Sequence, residues 1–460
     1  MKRKSASLGG AHGDTGRVRI GGQAAERSRD VSPGFVLGGG VVTDGIEVFF
    51  ENGALRIEGD RIREIGDTEE LRGRSDRFID VKGRMILPGF LNPHQHLYSS
   101  LARGLRPVGK TDSFTQQLRN LWWRLDSVLD EESVYYSAIL GIIDAVKHGV
   151  TMIFDHHASM SFVRGSLAVI KRAFDTAGIK GLLCFETSDR SGEAKVQSHI
   201  EENVSFWEMQ RSSPNVQGMF GLHANFTLSE DTLRKIEKDK PGDMPIHIHC
   251  GEDTTDLYHC MRLGYRGPVD RLHRFSLLDS HSILAHAVHL SPEDYRILHE
   301  IDPIVVSNPE SNANNQVGRM DREKIERYLL GTDGMSADPL KTLRSHYLLG
   351  RGRKESLQEL KEVFFDLKSA LQQRFFPETG LLTPGRLADI TVLDYAPIAP
   401  VSLENILPHL LFGAEDGRAF MTVSNGTILY SDGRILFADE DDLKREARIV
   451  ARSLQERYYG

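Results

Sequence analysis

Residues 88 to 96 read Pro-Gly-Phe-Leu-Asn-Pro-His-Gln-His, and the two histidines offer a chemistry. Side chains at i and i+2 of a strand face the same way. His94 and His96, closing an apolar strand, therefore aim two imidazoles at one point, the start of a metal site. A second pair lies in Met-Pro-Ile-His-Ile-His-Cys-Gly-Glu-Asp at 244–253, where His247 and His249 share a face. Cys250 falls on the other face and reads as a small buried residue. Asp333, in Gly-Thr-Asp-Gly at 331–334, offers a carboxylate, although an aspartate in that setting can simply cap a turn. Zinc or ferrous iron accepts imidazole and carboxylate ligands, and a catalytic site leaves one position open for water. A zinc centre of that kind lowers the pKa of its water from about 15.7 to ~7.

These residues need a scaffold that brings distant strand ends together. Apolar strands ending near His96, His157, Ser188, Phe226, Glu252, His289, Asn308 and Asp333 alternate with amphipathic stretches such as 133–148 and 292–301. Repeated strand–helix alternation argues for a parallel sheet, and polar residues at the strand ends fit the active face of a (β/α)8 barrel. The fold class expected is α/β, a TIM-like barrel at 85–383. Short alternating strands punctuated by Asn-Gly and Gly-Asp fill 34–84 and return at 384–440, and both ends are expected to join in a small β-sandwich. Residues 441–460 read as a C-terminal helix, and 1–33, rich in Gly, Ser and Arg, as a disordered extension. The segment between Asn312 and Asp333 is short, so the seventh helix must be abbreviated.

Several motifs beyond the histidines carry a resemblance. Trp-Trp-Arg-Leu-Asp at 122–126, Phe-Asp-His-His-Ala-Ser at 154–159 and Phe-Glu-Thr-Ser-Asp-Arg at 185–190 are three of them. Gly-Leu-His-Ala-Asn-Phe-Thr-Leu-Ser at 221–229, Asn-Pro-Glu-Ser-Asn at 308–312 and Gly-Thr-Asp-Gly at 331–334 complete the set. Over residues 34 to 460 the chain resembles the amidohydrolase superfamily, in the branch of cytosine and guanine deaminases and chlorotriazine hydrolases, and within it the SsnA-type aminohydrolases. The resemblance implies one divalent metal, zinc first and ferrous iron as the alternative, held by His94, His96, His249 and Asp333. His249 is preferred to His247 because it lies nearer the strand exit and three residues before Glu252, the spacing this branch uses. His247, one layer down, is expected to support the ligands.

The same resemblance makes Glu252 the proton shuttle, a role worth ~10²–10⁴ in rate, and Asp333 both ligand and proton acceptor. The alternative for Glu252 is a helix-opening glutamate favoured by the dipole, and Asp253 is the expected cap. His286 is expected to meet the attacking water or the substrate oxygen, while His289, out of phase, belongs to structure. His223 stands where binuclear relatives carry a bridging lysine, which favours one metal and a substrate contact. Trp123, Glu186 and Asn308 are further expected substrate contacts. Trp122 and Trp123 suit a lid over a flat ring, or helix packing. Arg190 is read as bracing the pocket, and His156 and His157 as bordering it or as loop residues.

Composition bounds the reading. There are 57 Lys and Arg against 65 Asp and Glu, a formal charge of −8, so no basic surface points to nucleic acid. Three cysteines argue against a disulfide framework and for a reducing compartment, hence a cytoplasmic expectation. No apolar run reaches the length of a membrane span. The expected partners are a small heterocyclic substrate and water, with no nucleic acid and no membrane, in a homo-oligomer. The function expected is hydrolysis of a C–N bond of a nitrogen heterocycle, most simply deamination. Ring opening of a cyclic amide or ureide is the second reading, and a non-catalytic metal- or ligand-binding barrel the third.

Overall fold

The computed structural model describes residues 34–460 apart from 76, 351–355 and 415. The extension expected at 1–33 lies outside the described residues. Eight successive parallel strands build the barrel wall: Phe90–Gln95, Val150–His157, Lys180–Phe185, the broken pair Val216–Gly218 and Phe220–Ala224, Ile246–Cys250, Ile283–His286, Ile304–Ser307 and Leu329–Leu330. Regular pairing gives two arcs, one of four strands and one of five, because the fourth strand breaks at Met219. Single bridging pairs close the ring. Thr187 pairs with Leu222, and Gln95 with Asp333, where the Asp333 amide donates to the His94 carbonyl at 3.0 Å. A residue of the last strand's exit is thereby held against the histidines of the first strand.

The strands end up to three residues earlier than their sequence pattern suggests. The sixth stops at His286, not His289, because His286 and Ala287 adopt φ of 75° and 50°. That left-handed backbone ends the extended run. Between seventh and eighth strands the helix is the single short piece Pro309–Asn314, the abbreviation that the spacing requires. Other helices follow the sequence closely, Pro292–Ile301 with a Ser291 capping box among them.

Both ends of the chain join in one nine-stranded sheet. Its apolar core draws Leu37, Leu55, Ile62 and Ile86 from one end and Ile390, Val392 and Val423 from the other. Met85–Pro88 belongs here, pairing with Phe35–Thr43 on one side and Ile390–Leu393 on the other. The barrel therefore starts at Phe90, where the sequence reading placed its start at Met85. An apolar run read alone does not say which sheet receives it.

Lys180 ties this sheet to the barrel. Its side chain is fully buried, and Nζ reaches Asp389 at 2.8 and 3.0 Å and Asn425 Oδ1 at 2.6 Å. A buried ion pair adds little over an apolar pair, but removing one partner strands the other charge and costs ~3–5 kcal/mol. Lys180→Met should lower unfolding stability by about that amount, read by denaturant titration. Adding Asp389→Asn should restore most of it, and equal stability of wild type and Lys180→Met would refute the coupling. The C-terminal helix Glu440–Tyr459 packs near the barrel mouth, with the Arg457 Nε–H donating to the Val128 carbonyl at 2.9 Å. Among the described residues no helix is long and apolar enough to cross a membrane.

Candidate metal centre and active site

Parallel strands all end at one face of a barrel, so residues at or just past their ends meet there. His94, His96, His249 and Asp333 do so, each offering a ligand atom within 4.8 Å of the others. His96 Nε2 lies 2.9 Å from Asp333 Oδ1 and 3.1 Å from His249 Nε2, and His94 Nε2 lies 3.6 Å from Asp333 Oδ1. Ligands at ~2.0–2.1 Å around a tetrahedral ion would stand roughly 3.3–3.4 Å apart. The observed spacings bracket that value.

The outer nitrogens are already committed. His96 Nδ1–H donates to the His156 carbonyl at 2.6 Å and His249 Nδ1–H to the His223 carbonyl at 3.0 Å. His94 Nδ1 pairs with His247 Nε2 at 2.8 Å. Such bonds set the tautomer and turn each Nε2 lone pair inward. His94 Nε2 is buried and has no hydrogen-bond partner in the protein, which suits an ion. His247 supports His94 from below, as the strand layering implies.

Electrostatics favour positive charge at the same point. Burial pushes His249 well below the ordinary imidazole range and His94 to about 4. Burial works the same way on His96, but the hydrogen bond and charge of Asp333 lift it to about 9. Burial would raise Asp333, yet the nearby His94 imidazole, at 3.6 Å, and the close contact with His96 hold it well below the carboxylate range. A cation displacing the His96 proton would meet an anionic carboxylate and three imidazole nitrogens, so these residues fit a divalent metal.

Beside this cluster stand Glu252 and His286. His286 Nε2 is 3.5 Å from Glu252 Oε2 and 3.8 Å from Asp333 Oδ2, while its Nδ1–H donates to Asn312 Oδ1 at 2.8 Å. Burial, then the charge of Asp333, raise Glu252 to about 7 against the lowering effect of His286. A carboxyl poised there can both give and take a proton near neutrality. His286 and Asp333 share a backbone peculiarity, φ of 75° and 54°. Non-glycine residues in that region store roughly 1–3 kcal/mol each, and such strain gathers at functional sites.

A cavity lies directly above the cluster. Its wall includes Tyr98, Glu186, His223, Glu252 and Asp333, and its roof Phe114, Leu118, Trp122, Trp123 and Asp126. The expected contacts Glu186, His223 and Trp123 therefore all line the cavity, and both tryptophans face the space. A larger cavity of about 350 Å³ lies at the other side of Pro309–Asn314, lined by Asn312, Arg319 and His346, and holds none of the four clustered residues. The chemistry goes with the smaller cavity.

Glu186 accepts from Arg190, which also bonds Asp126 and sits 5.5 Å over the Trp123 ring. Burial would raise Glu186, but His223 and Arg190 hold it down to about 2. Arg190 thus braces two buried carboxylates against the roof. His156 is fully buried beneath the ligands, its Nε2–H facing the Leu222 carbonyl at 3.0 Å, and His157 bonds Ser159. His289 donates to the Val317 carbonyl, Asp253 caps the helix Thr254–Arg262, and Cys250 is buried.

Asn308 departs from its expected place. It is fully buried and does not line the active cavity. The seventh strand ends at Ser307 and the chain turns at once into Pro309–Asn314, which leaves Asn308 under Gly331. A Cβ on Gly331 would come within 2.5 Å of Asn308 Oδ1 and 3.0 Å of the His94 Cβ. Only a glycine lets the eighth strand approach both. Sequence reasoning missed Asn312 and Asn315, which hold His286 and Glu252. Their signal was the run of asparagines after the seventh strand.

Comparison with known proteins agrees with this picture. The amidohydrolase family profile matches residues 85–429. A 5-methylthioadenosine/S-adenosylhomocysteine deaminase of Thermococcus sibiricus is 28% identical over 389 residues, 82% of this chain and 89% of the relative. A zinc-bound adenosine deaminase from Xanthomonas campestris superposes with a TM-score of 0.79 at 18% identity, covering 92% of this chain and 98% of its own. An atrazine chlorohydrolase from Arthrobacter aurescens, also complexed with zinc, gives 0.75 at 20% identity, over 91% and 100%.

Proposed function

Because the chain belongs to the amidohydrolase family, we propose that it is a metal-dependent hydrolase of carbon–nitrogen bonds that deaminates an amino-substituted nitrogen heterocycle of the purine class. The observation that carries the reading is the convergence of His94, His96, His249 and Asp333 within 4.8 Å, with Glu252 and His286 beside them. The deaminase relative supports the leaving group and ring type.

One zinc ion, held by those four residues, would supply a water of lowered pKa and a Lewis acid. Asp333, already the anionic centre of the cluster, takes the proton of the attacking water. His286 keeps its Nδ1–H on Asn312 and so presents Nε2 as an acceptor, which orients that water. Glu252 protonates the ring nitrogen next to the carbon under attack. It then takes up the hydroxyl proton of the adduct and delivers it to the departing amine as the C–N bond breaks, and the proton held by Asp333 then restores Glu252. Trp122 and Trp123 cover the flat ring, and Glu186 and His223 contact its far edge.

The test is metal analysis of the purified protein together with ammonia release across purines, purine nucleosides, pyrimidines, pterins and triazines. The expected result is stoichiometric zinc and ammonia from an aminopurine or its nucleoside, with a product mass change of about +1 for hydroxyl in place of amine. A gain of about 18, one water, would mean ring opening. A metal-replete protein inert on the whole panel would overturn the reading.

A further inference from the structure

We propose that Asn315 is a positioning residue for the shuttle Glu252, and that Gln117 on the roof acts through it, so that seating the roof and aligning the shuttle are one event. The inference rests on the functional reading above.

The roof spans residues 114–126, and its cavity-facing residues Phe114, Leu118, Trp122 and Asp126 recur every fourth position. A regular 3.6-residue helix would rotate such a stripe by roughly 120° over twelve residues. The wider turn at Leu118–Trp122 absorbs the difference and keeps all four facing inward. The C-terminal helix holds the outer side. Arg124 Nε–H donates to the Tyr458 carbonyl at 2.8 Å, and Tyr458 Oη lies 3.1 Å from the Asn120 carbonyl.

Gln117 provides the inward link. Its Nε2–H donates to Asn315 Oδ1 at 3.0 Å, and Asn315 Nδ2–H donates to Glu252 Oε1 at 3.1 Å. Asn314 Nδ2 also donates to Asn315 Oδ1, at 3.0 Å, and Ser311 Oγ lies 3.4 Å from Asn315 Nδ2. These partners admit one orientation of the amide. Flipped, Asn315 would turn its NH₂ on two donors and its oxygen on the carboxylate. Glu252, an acceptor, takes the NH₂ end of Asn315, and Gln117 together with Asn314 holds the opposite Oδ1 end in place. With Oε1 tied, Oε2 is left for the substrate side, 3.5 Å from His286. The contact also favours the ionised carboxylate, since a hydrogen bond to a charged group is roughly twice as strong as a neutral one.

A double-mutant cycle separates this role from a merely structural one, because residues acting as a unit are not additive. Asn315→Ala should keep its metal and lose roughly 10–100-fold in kcat, the range for a supporting partner, with little change in KM. Asn315→Asp, which brings a second negative charge and no donor, should lose at least as much. In the Glu252→Gln background, Asn315→Ala should cost nothing further, and Gln117→Ala should be silent in the Asn315→Ala background. Losses that multiply with Glu252→Gln, or that fall wholly on KM, would overturn the proposal. A second arm needs no substrate. Amide hydrogen exchange over 114–126 in the metal-loaded protein should quicken in both Gln117→Ala and Asn315→Ala, and unchanged exchange would overturn the roof link. A wild type inert on every heterocycle would instead count against the functional reading, and the exchange arm would still decide the link.

Discussion

Asp333→Asn should purify with little metal and show no measurable turnover. Asp333 Oδ1 reaches His96 Nε2 at 2.9 Å and His94 Nε2 at 3.6 Å, and it shares the cluster with His249. Replacing it by a neutral amide removes the charge that draws a cation into a buried site and also the acceptor for the water's proton. Loss of a supporting partner alone costs ~10–100-fold in metal affinity or activity, and loss of a ligand should exceed that. Elemental analysis after dialysis and ammonia release at saturating zinc read the two effects separately. Wild-type metal content with wild-type turnover would remove Asp333 from both roles.

Glu252→Gln should behave differently, retaining its metal and losing at least ~10² in kcat. Glu252 is placed toward His286 and Asn315 and stands outside the four-residue ligand cluster. Its burial-raised pKa, about 7, suits a group that must give up and regain a proton in each turnover, and glutamine can do neither. The contrast between the variants is the discriminating result. Equal loss of metal in Glu252→Gln and His249→Ala would make Glu252 a ligand, and full activity of Glu252→Gln would make it a bystander.

How far the site was legible varies residue by residue. His94 and His96 could be read because strand alternation is local, while His247 and His249 share a face and only the spacing to Glu252 favoured His249. His286 was legible as a strand-end histidine, although the strand's true end depends on a left-handed turn that no side-chain pattern signals. Asn308 was misplaced for the reason that the seventh strand ends one residue earlier, which turns its side chain under Gly331. Met85–Pro88 shows the same limit in the fold. Its apolar character required burial, but only pairing with Phe35–Thr43 and Ile390–Leu393 decided where.

By itself the sequence determined the kinds of ligand, their order along the chain and the alternation that builds a barrel, since residue type and strand period are properties of short segments. Tertiary structure alone decided which groups serve those ligands. Asn315 meets Glu252 across 63 positions and Gln117 meets Asn315 across 198. The Glu186–Arg190–Asp126 network likewise joins the third strand's exit to the roof. Such contacts exist because barrel closure brings Gln95 against Asp333 and gathers every strand end on one face. The physical reason is that hydrogen bonds are short-ranged and directional, so partners far apart in sequence acquire meaning only when the fold fixes both position and orientation.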